Sequence, residues 1–113
     1  MRLNHLNLTV TDVRAASTFL ETYFGLQRQG GNAGMAFLTD GAGFGLTLMK
    51  GKKDGMSYPD TFHIGFFIDS RETVDATYRR LKDDDYEPTE PSEQHAYTFY
   101  VPAPGGFTVE LGA

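Results

Sequence analysis

Residues 3–10 read LNHLNLTV, and their alternation decides the fold. Leu6, Leu8 and Val10 fall on one side of an extended chain; His5, Asn7 and Thr9 fall on the other. Successive side chains of a strand point to opposite faces, so this is a strand with one face to bury. The next segment supplies the cover. Asp12 reads as an N-cap, Ala16, Phe19, Leu20 and Tyr23 follow at helical spacing, and Gly25 marks the stop. Three short strands are predicted after it, near 26–29, 33–39 and 43–50, with turns at Gly30-Gly31-Asn32 and Asp40-Gly41.

Residues 51–60, GKKDGMSYPD, form a polar connection containing glycine and proline, and the plan then restarts. Phe62, Ile64, Phe66 and Ile68 alternate with His63, Gly65 and Phe67, Ser70 caps a second helix, and Val74, Tyr78 and Leu81 carry its apolar stripe. Weaker strand signals follow near 86–89, 95–101 and 106–111. A shift of 58 positions maps His5 onto His63, Leu6 onto Ile64, Leu8 onto Phe66, Val10 onto Ile68, Asp12 onto Ser70, Ala16 onto Val74 and Leu20 onto Tyr78. One offset holding through strand, cap and helix is the mark of an internal duplication. The expectation is a single α+β domain of two βαβββ modules, residues 1–50 and 61–113, joined by the linker 51–60. Their curved mixed sheets would make a cup with the helices on its outer face.

Bulk composition narrows the function classes. The chain has 113 residues with 40% hydrophobic and 22% charged, which suits one folded domain. Its formal net charge of −5 repels phosphate backbones, so nucleic acid is not the expected partner. There is no cysteine, which removes disulfides, thiolate metal sites and a cysteine nucleophile. The opening residues lack the apolar core of a signal peptide, and no run is long and apolar enough for a membrane span. A cytoplasmic protein that binds a small molecule is expected, and a homodimer, because a small domain gains by hiding more surface.

Strand parity gathers the chemistry. The faces turned from the helices carry His5, Asn7 and Thr9 in the first half and His63, Gly65 and Phe67 in the second. In the final strand, FTVEL, Phe107, Val109 and Leu111 turn to the helix and leave Thr108 and Glu110 on the inner face. Two imidazoles and one carboxylate can hold Fe, Mn, Co or Zn as divalent ions with positions left open for substrate oxygens. His5, His63 and Glu110 are therefore the candidate metal ligands. Asn7, Thr47, Thr98, Tyr100 and Thr108 are placed to hydrogen-bond a substrate, and Phe37, Phe67 and Tyr100 to stack on one. His95, just before a strand, reads as a rim or surface residue and is left out of the metal set.

NHLNLTVTDVRAASTFLETYFGL (4–26), FHIGFFID (62–69) and YTFYVPAPGGFTVEL (97–111) together resemble the vicinal oxygen chelate superfamily, the glyoxalase, bleomycin resistance and extradiol dioxygenase group. The resemblance implies that His5, His63 and Glu110 stand at the three ligand positions of extradiol dioxygenases and fosfomycin-modifying enzymes. It implies a lyase, isomerase or oxygenase acting on a small oxygenated molecule. Its alternative is a metal-free protein that sequesters a drug or metabolite, as bleomycin resistance proteins do. Glyoxalase itself adds a fourth carboxylate from the last strand of the first half. Here that strand reads GFGLTL (43–48), and Gly45 is taken as the counterpart of Glu110 because both precede a leucine. Residues 86–94, YEPTEPSEQ, hold no lysine or arginine to grip a phosphonate.

Overall fold

The structure is a computed structural model that describes residues 1–52 and 55–113. Lys53 and Asp54, in the expected linker, lie outside the described residues. The chain divides into two compact units. One comprises Met1–Ser57 with Pro104–Gly106, the other Tyr58–Ala103 with Phe107–Ala113.

In the first unit β1 (His5–Val10) leads into α1 (Val13–Phe24), then β2 (Gln27–Asn32), β3 (Met35–Thr39) and β4 (Gly45–Lys50). The sheet order is β1-β4-β3-β2, with β1 parallel to β4 and the other pairs antiparallel. Asp12 caps α1 by accepting from the Ala15 N–H at 3.0 Å. Gly25 ends the helix in the left-handed region, φ 72°, where a side chain would be strained. The core joins Leu8, Val10, Leu38, Leu46 and Leu48 of the sheet to Ala16, Phe19 and Leu20 of α1, all buried. Each Leu, Val or Phe buried in this way contributes about 1.5–3 kcal/mol.

The second unit repeats the plan with β5 (Ile64–Phe67), α2 (Arg71–Asp83), β6 (Ser92–Glu93), β7 (Tyr97–Ala103) and β8 (Phe107–Gly112). Its order is β5-β8-β7-β6, with β5 parallel to β8. Ser70 caps α2 through the Thr73 N–H, as Asp12 caps α1. Val74, Thr77 and Leu81 of α2 are buried with Phe99, Val101, Val109 and Leu111. Each unit is thus a βαβββ module of an α+β fold. No helix among the described residues is long and apolar enough to cross a membrane.

Three expectations are corrected. Gly30-Gly31-Asn32 is not a turn: β2 runs through it with a register shift between Arg28 and Gly30, and the reversal comes at Ala33-Gly34. At Gly31 (φ 142°) an added Cβ would collide with the backbone of Met35 and Ala36, so glycine serves close strand approach there rather than reversal. Residues 86–89 form no strand, and the edge strand is the two-residue β6 farther on. Pro88 and Pro91 remove two backbone donors from that stretch, and Thr89 reaches the sheet, its N–H donating to the Tyr100 carbonyl at 2.8 Å.

The third correction is one of register. Asn7 pairs with Thr47 and Phe37 pairs with Thr47, whereas Gly65 pairs with Glu110 and Tyr100 pairs with Glu110. Since Asn7 and Gly65 are equivalent under the 58-residue shift, the counterpart of Glu110 is Thr47. Gly45 instead faces His5. The match to a following leucine misled because leucine recurs at 46 and 48.

Candidate functional site

A polar cluster in the second unit centres on Glu110. Strand alternation puts Val109 and Leu111 into the apolar core and turns Glu110 to the opposite face, yet neighbouring side chains leave it only 2% exposed. A buried carboxylate needs compensating donors or charge. It has several. His95 Nε2 lies 2.7 Å from Oε2, and the Thr98 hydroxyl lies 2.8 Å from the same oxygen. That hydroxyl also lies 2.9 Å from the Leu111 carbonyl. Tyr100, opposite Glu110 in the β7–β8 ladder, adds a phenol donor. His63 Nε2 stands 3.3 Å from Oε1.

These contacts set the electrostatics. Burial pushes the Glu110 carboxyl up, but hydrogen bonds from Thr98, Tyr100 and His95, with the charge on His95, outweigh burial and hold it below its ordinary 4.5. Burial raises the Tyr100 phenol, and its hydrogen bond to the Glu110 carboxylate and the charge there raise it further.

The two histidines meet this carboxylate in different ways. His63 Nδ1 lies 2.9 Å from the Thr61 carbonyl, which can only accept, so Nδ1 carries the hydrogen. In the neutral ring that leaves the Nε2 lone pair turned toward Oε1. Two acceptors 3.3 Å apart call for a cation between them, either a proton or a metal ion. An imidazole anchored at Nδ1 by a backbone carbonyl, with Nε2 free, is the usual posture of a histidine ligand. The spacing also suits neighbouring ligands of an ion bound at about 2.0–2.2 Å. His63 and Glu110 therefore fit a divalent metal. Among the described residues, no three His, Asp or Glu side chains are arranged to hold a metal ion by themselves.

The other expected site residues fall as follows. His5 begins β1 on the face it shares with Asn7, exposed, in the first unit. Asn7 is exposed, and its Nδ2 lies 2.9 Å from Met49 Sδ. Thr47 is buried, whereas Phe37, its β3 neighbour, is 45% exposed. In the second unit Phe67 is 62% exposed, with its ring 6.0 Å from that of His95. Tyr100 meets the His63 ring edge-on at 5.3 Å. Thr108 is half-buried, and Thr98 is fully buried with its hydroxyl already engaged by Glu110.

Sequence reasoning put His95 at the rim, where it stands half-exposed, but missed its contact with Glu110. The residue lies outside the β7 ladder, so strand parity is silent about it. The tight turn that brings it back, with the Gln94 N–H donating to the Ala96 carbonyl at 2.9 Å, shows in the sequence only as a polar stretch before a strand.

Residues 2–111 match the glyoxalase/bleomycin resistance protein/dioxygenase superfamily. The chain belongs to that superfamily. Among solved members, a possible glyoxalase from Bacillus cereus is 53% identical with a TM-score of 0.93, the match covering 100% of this chain and 99% of that one. The fosfomycin resistance protein FosX from Listeria monocytogenes is 25% identical with a TM-score of 0.83, covering 100% and 93%. A second structure of FosX, complexed with Mn(II) and sulfate, is 23% identical with a TM-score of 0.80, covering 99% and 89%. No curated protein matches the chain. By strand register, the position of the first unit that matches Glu110 is the hydroxyl residue Thr47.

Proposed function

We propose that this superfamily member is a metal-dependent enzyme acting on a small oxygenated molecule, with His63 and Glu110 as metal ligands and His5 of a first unit as the third. The observation that carries the reading is the 3.3 Å approach of His63 Nε2 to Oε1 of a buried carboxylate, with Nδ1 already committed to a carbonyl. The metal, of the Fe, Mn, Co or Zn class, would supply Lewis acidity to a substrate bound through its oxygens. The chain's own residues do the rest. Glu110 offsets positive charge, Thr98 and Tyr100 orient it, and Phe67 offers an exposed ring for an apolar or planar part of the substrate. Asn7, Phe37, Thr47 and Thr108 are the remaining substrate-facing candidates. The Mn(II) complex of FosX supports the reading at the level of the superfamily.

Metal content per chain tests it, measured by elemental analysis of untagged protein purified without chelator, beside His63→Ala and His5→Ala. The expected result is near-stoichiometric metal, lost in both variants. Metal absent from the wild type, even after incubation with Fe(II), Mn(II), Co(II) and Zn(II), would overturn the proposal. It would favour the second reading, sequestration of a planar or cationic ligand by an acidic homodimer. The unusual exposure of Phe67 and Phe37 is the observation on that side.

A further inference from the structure

We infer that His95 is a positioning residue for the metal-binding carboxylate: its Nε2–H holds Oε2 of Glu110 and so presents Oε1 toward His63. The inference rests on the metal reading above and adds a residue to it.

Around Glu110 the two imidazoles are held by different nitrogens. His63 donates from Nδ1 to the Thr61 carbonyl and, in the neutral ring, turns a lone pair to Oε1. His95 has its Nε2 2.7 Å from Oε2, and since a carboxylate oxygen only accepts, that nitrogen carries a hydrogen. His63 is therefore set to ligate and His95 is set to donate.

The two oxygens of Glu110 differ in the same sense. Oε2 faces both His95 Nε2 and the Thr98 hydroxyl. Oε1 faces His63, on the side where Gly65 has no side chain; a Cβ built there would lie 3.6 Å from Oε1. A cation reaching this carboxylate thus finds Oε2 held by both His95 and Thr98 and Oε1 on the side of His63, which favours binding through Oε1. His63, His95 and Glu110 do not by themselves form a group able to hold a metal, which agrees with His95 standing behind the carboxylate rather than beside the ion.

The backbone beside His95 is pinned, while its side chain is 51% exposed. Two backbone hydrogen bonds join Tyr97 to Ala113, at 2.8 and 3.0 Å, just after the turn that carries His95, and the Phe67 ring flanks the imidazole edge. Partners of this kind behind a ligand typically change metal affinity about 10–100-fold when removed.

The test is a Co(II) titration of chelator-stripped wild type, His95→Ala and His95→Gln, reading affinity and the visible ligand-field spectrum together. The expected result is an affinity about 10–100-fold weaker in His95→Ala, with the shape of the spectrum unchanged. His95→Gln, whose amide N–H can still donate to Oε2, recovers part of the loss. Equal affinity in wild type and His95→Ala overturns this inference and leaves the metal reading standing. A changed spectrum in His95→Ala also overturns it, by making His95 a ligand. A wild type that binds no Co(II) overturns both.

Discussion

The Thr98 hydroxyl stands 2.8 Å from Oε2 of Glu110, and both side chains are almost wholly withdrawn from solvent. A hydroxyl with acceptors on both sides in a dry setting acts as a fixed donor. Removing it leaves a buried charge short of a partner rather than merely losing one bond. Thr98→Val keeps the shape and deletes the donor. The expected loss is about 1.5–3 kcal/mol of unfolding free energy, read from urea melts near neutral pH. A loss within experimental error would mean that His95 and Tyr100 alone satisfy the carboxylate.

Glu110 couples stability to pH. Its folded carboxyl is held below the ordinary 4.5, so its stabilisation is present above that value and is lost as pH falls through the folded one. Glu110→Gln cannot titrate. The stability gap between wild type and Glu110→Gln should therefore be full near neutral pH and should narrow in acid. Chemical denaturation at a series of pH values checks this. A gap that stays constant down to about pH 3 would show that Glu110 carries no such coupling.

Gly112 lets Thr98 and Phe67 come close to β8. A Cβ at that position would lie 3.0 Å from Phe67 Cε1 and 3.1 Å from Thr98 Oγ1. The exposed phenyl ring can turn aside, but the buried hydroxyl between Glu110 and the Leu111 carbonyl has no room to move. Gly112→Ala should cost about 1–3 kcal/mol through overpacking. The loss should shrink when Thr98 is already alanine, because the atom that the added Cβ would crowd is then gone. Additive losses in a double-mutant cycle would place the strain elsewhere.

The duplication, both helix caps and the facing of the inner residues were legible because each rests on a short-range rule. Period two set the faces of β1, and one offset linked the capping residues Asp12 and Ser70. The register across strands was less legible. Pairing Glu110 with its first-half counterpart needed the ladders, which place Thr47 opposite Asn7 where neighbouring leucines had suggested Gly45. Edge structure was legible least. Pro88 and Pro91 reduce β6 to two residues, and the chain that should have run as a strand bends instead into the turn carrying His95. A side chain delivered by such a turn obeys no period, so the contact of His95 with Glu110 Oε2 was not legible in the sequence.

The central claim is that Glu110, with His63, binds a divalent metal. Calorimetric titration of Mn(II) into chelator-stripped protein tests it most directly, with wild type and Glu110→Gln compared and circular dichroism used to establish that both are folded. The account predicts one Mn(II) bound per chain by the wild type and no detectable binding by the folded variant. Mn(II) binding that is equal in the two proteins would contradict it.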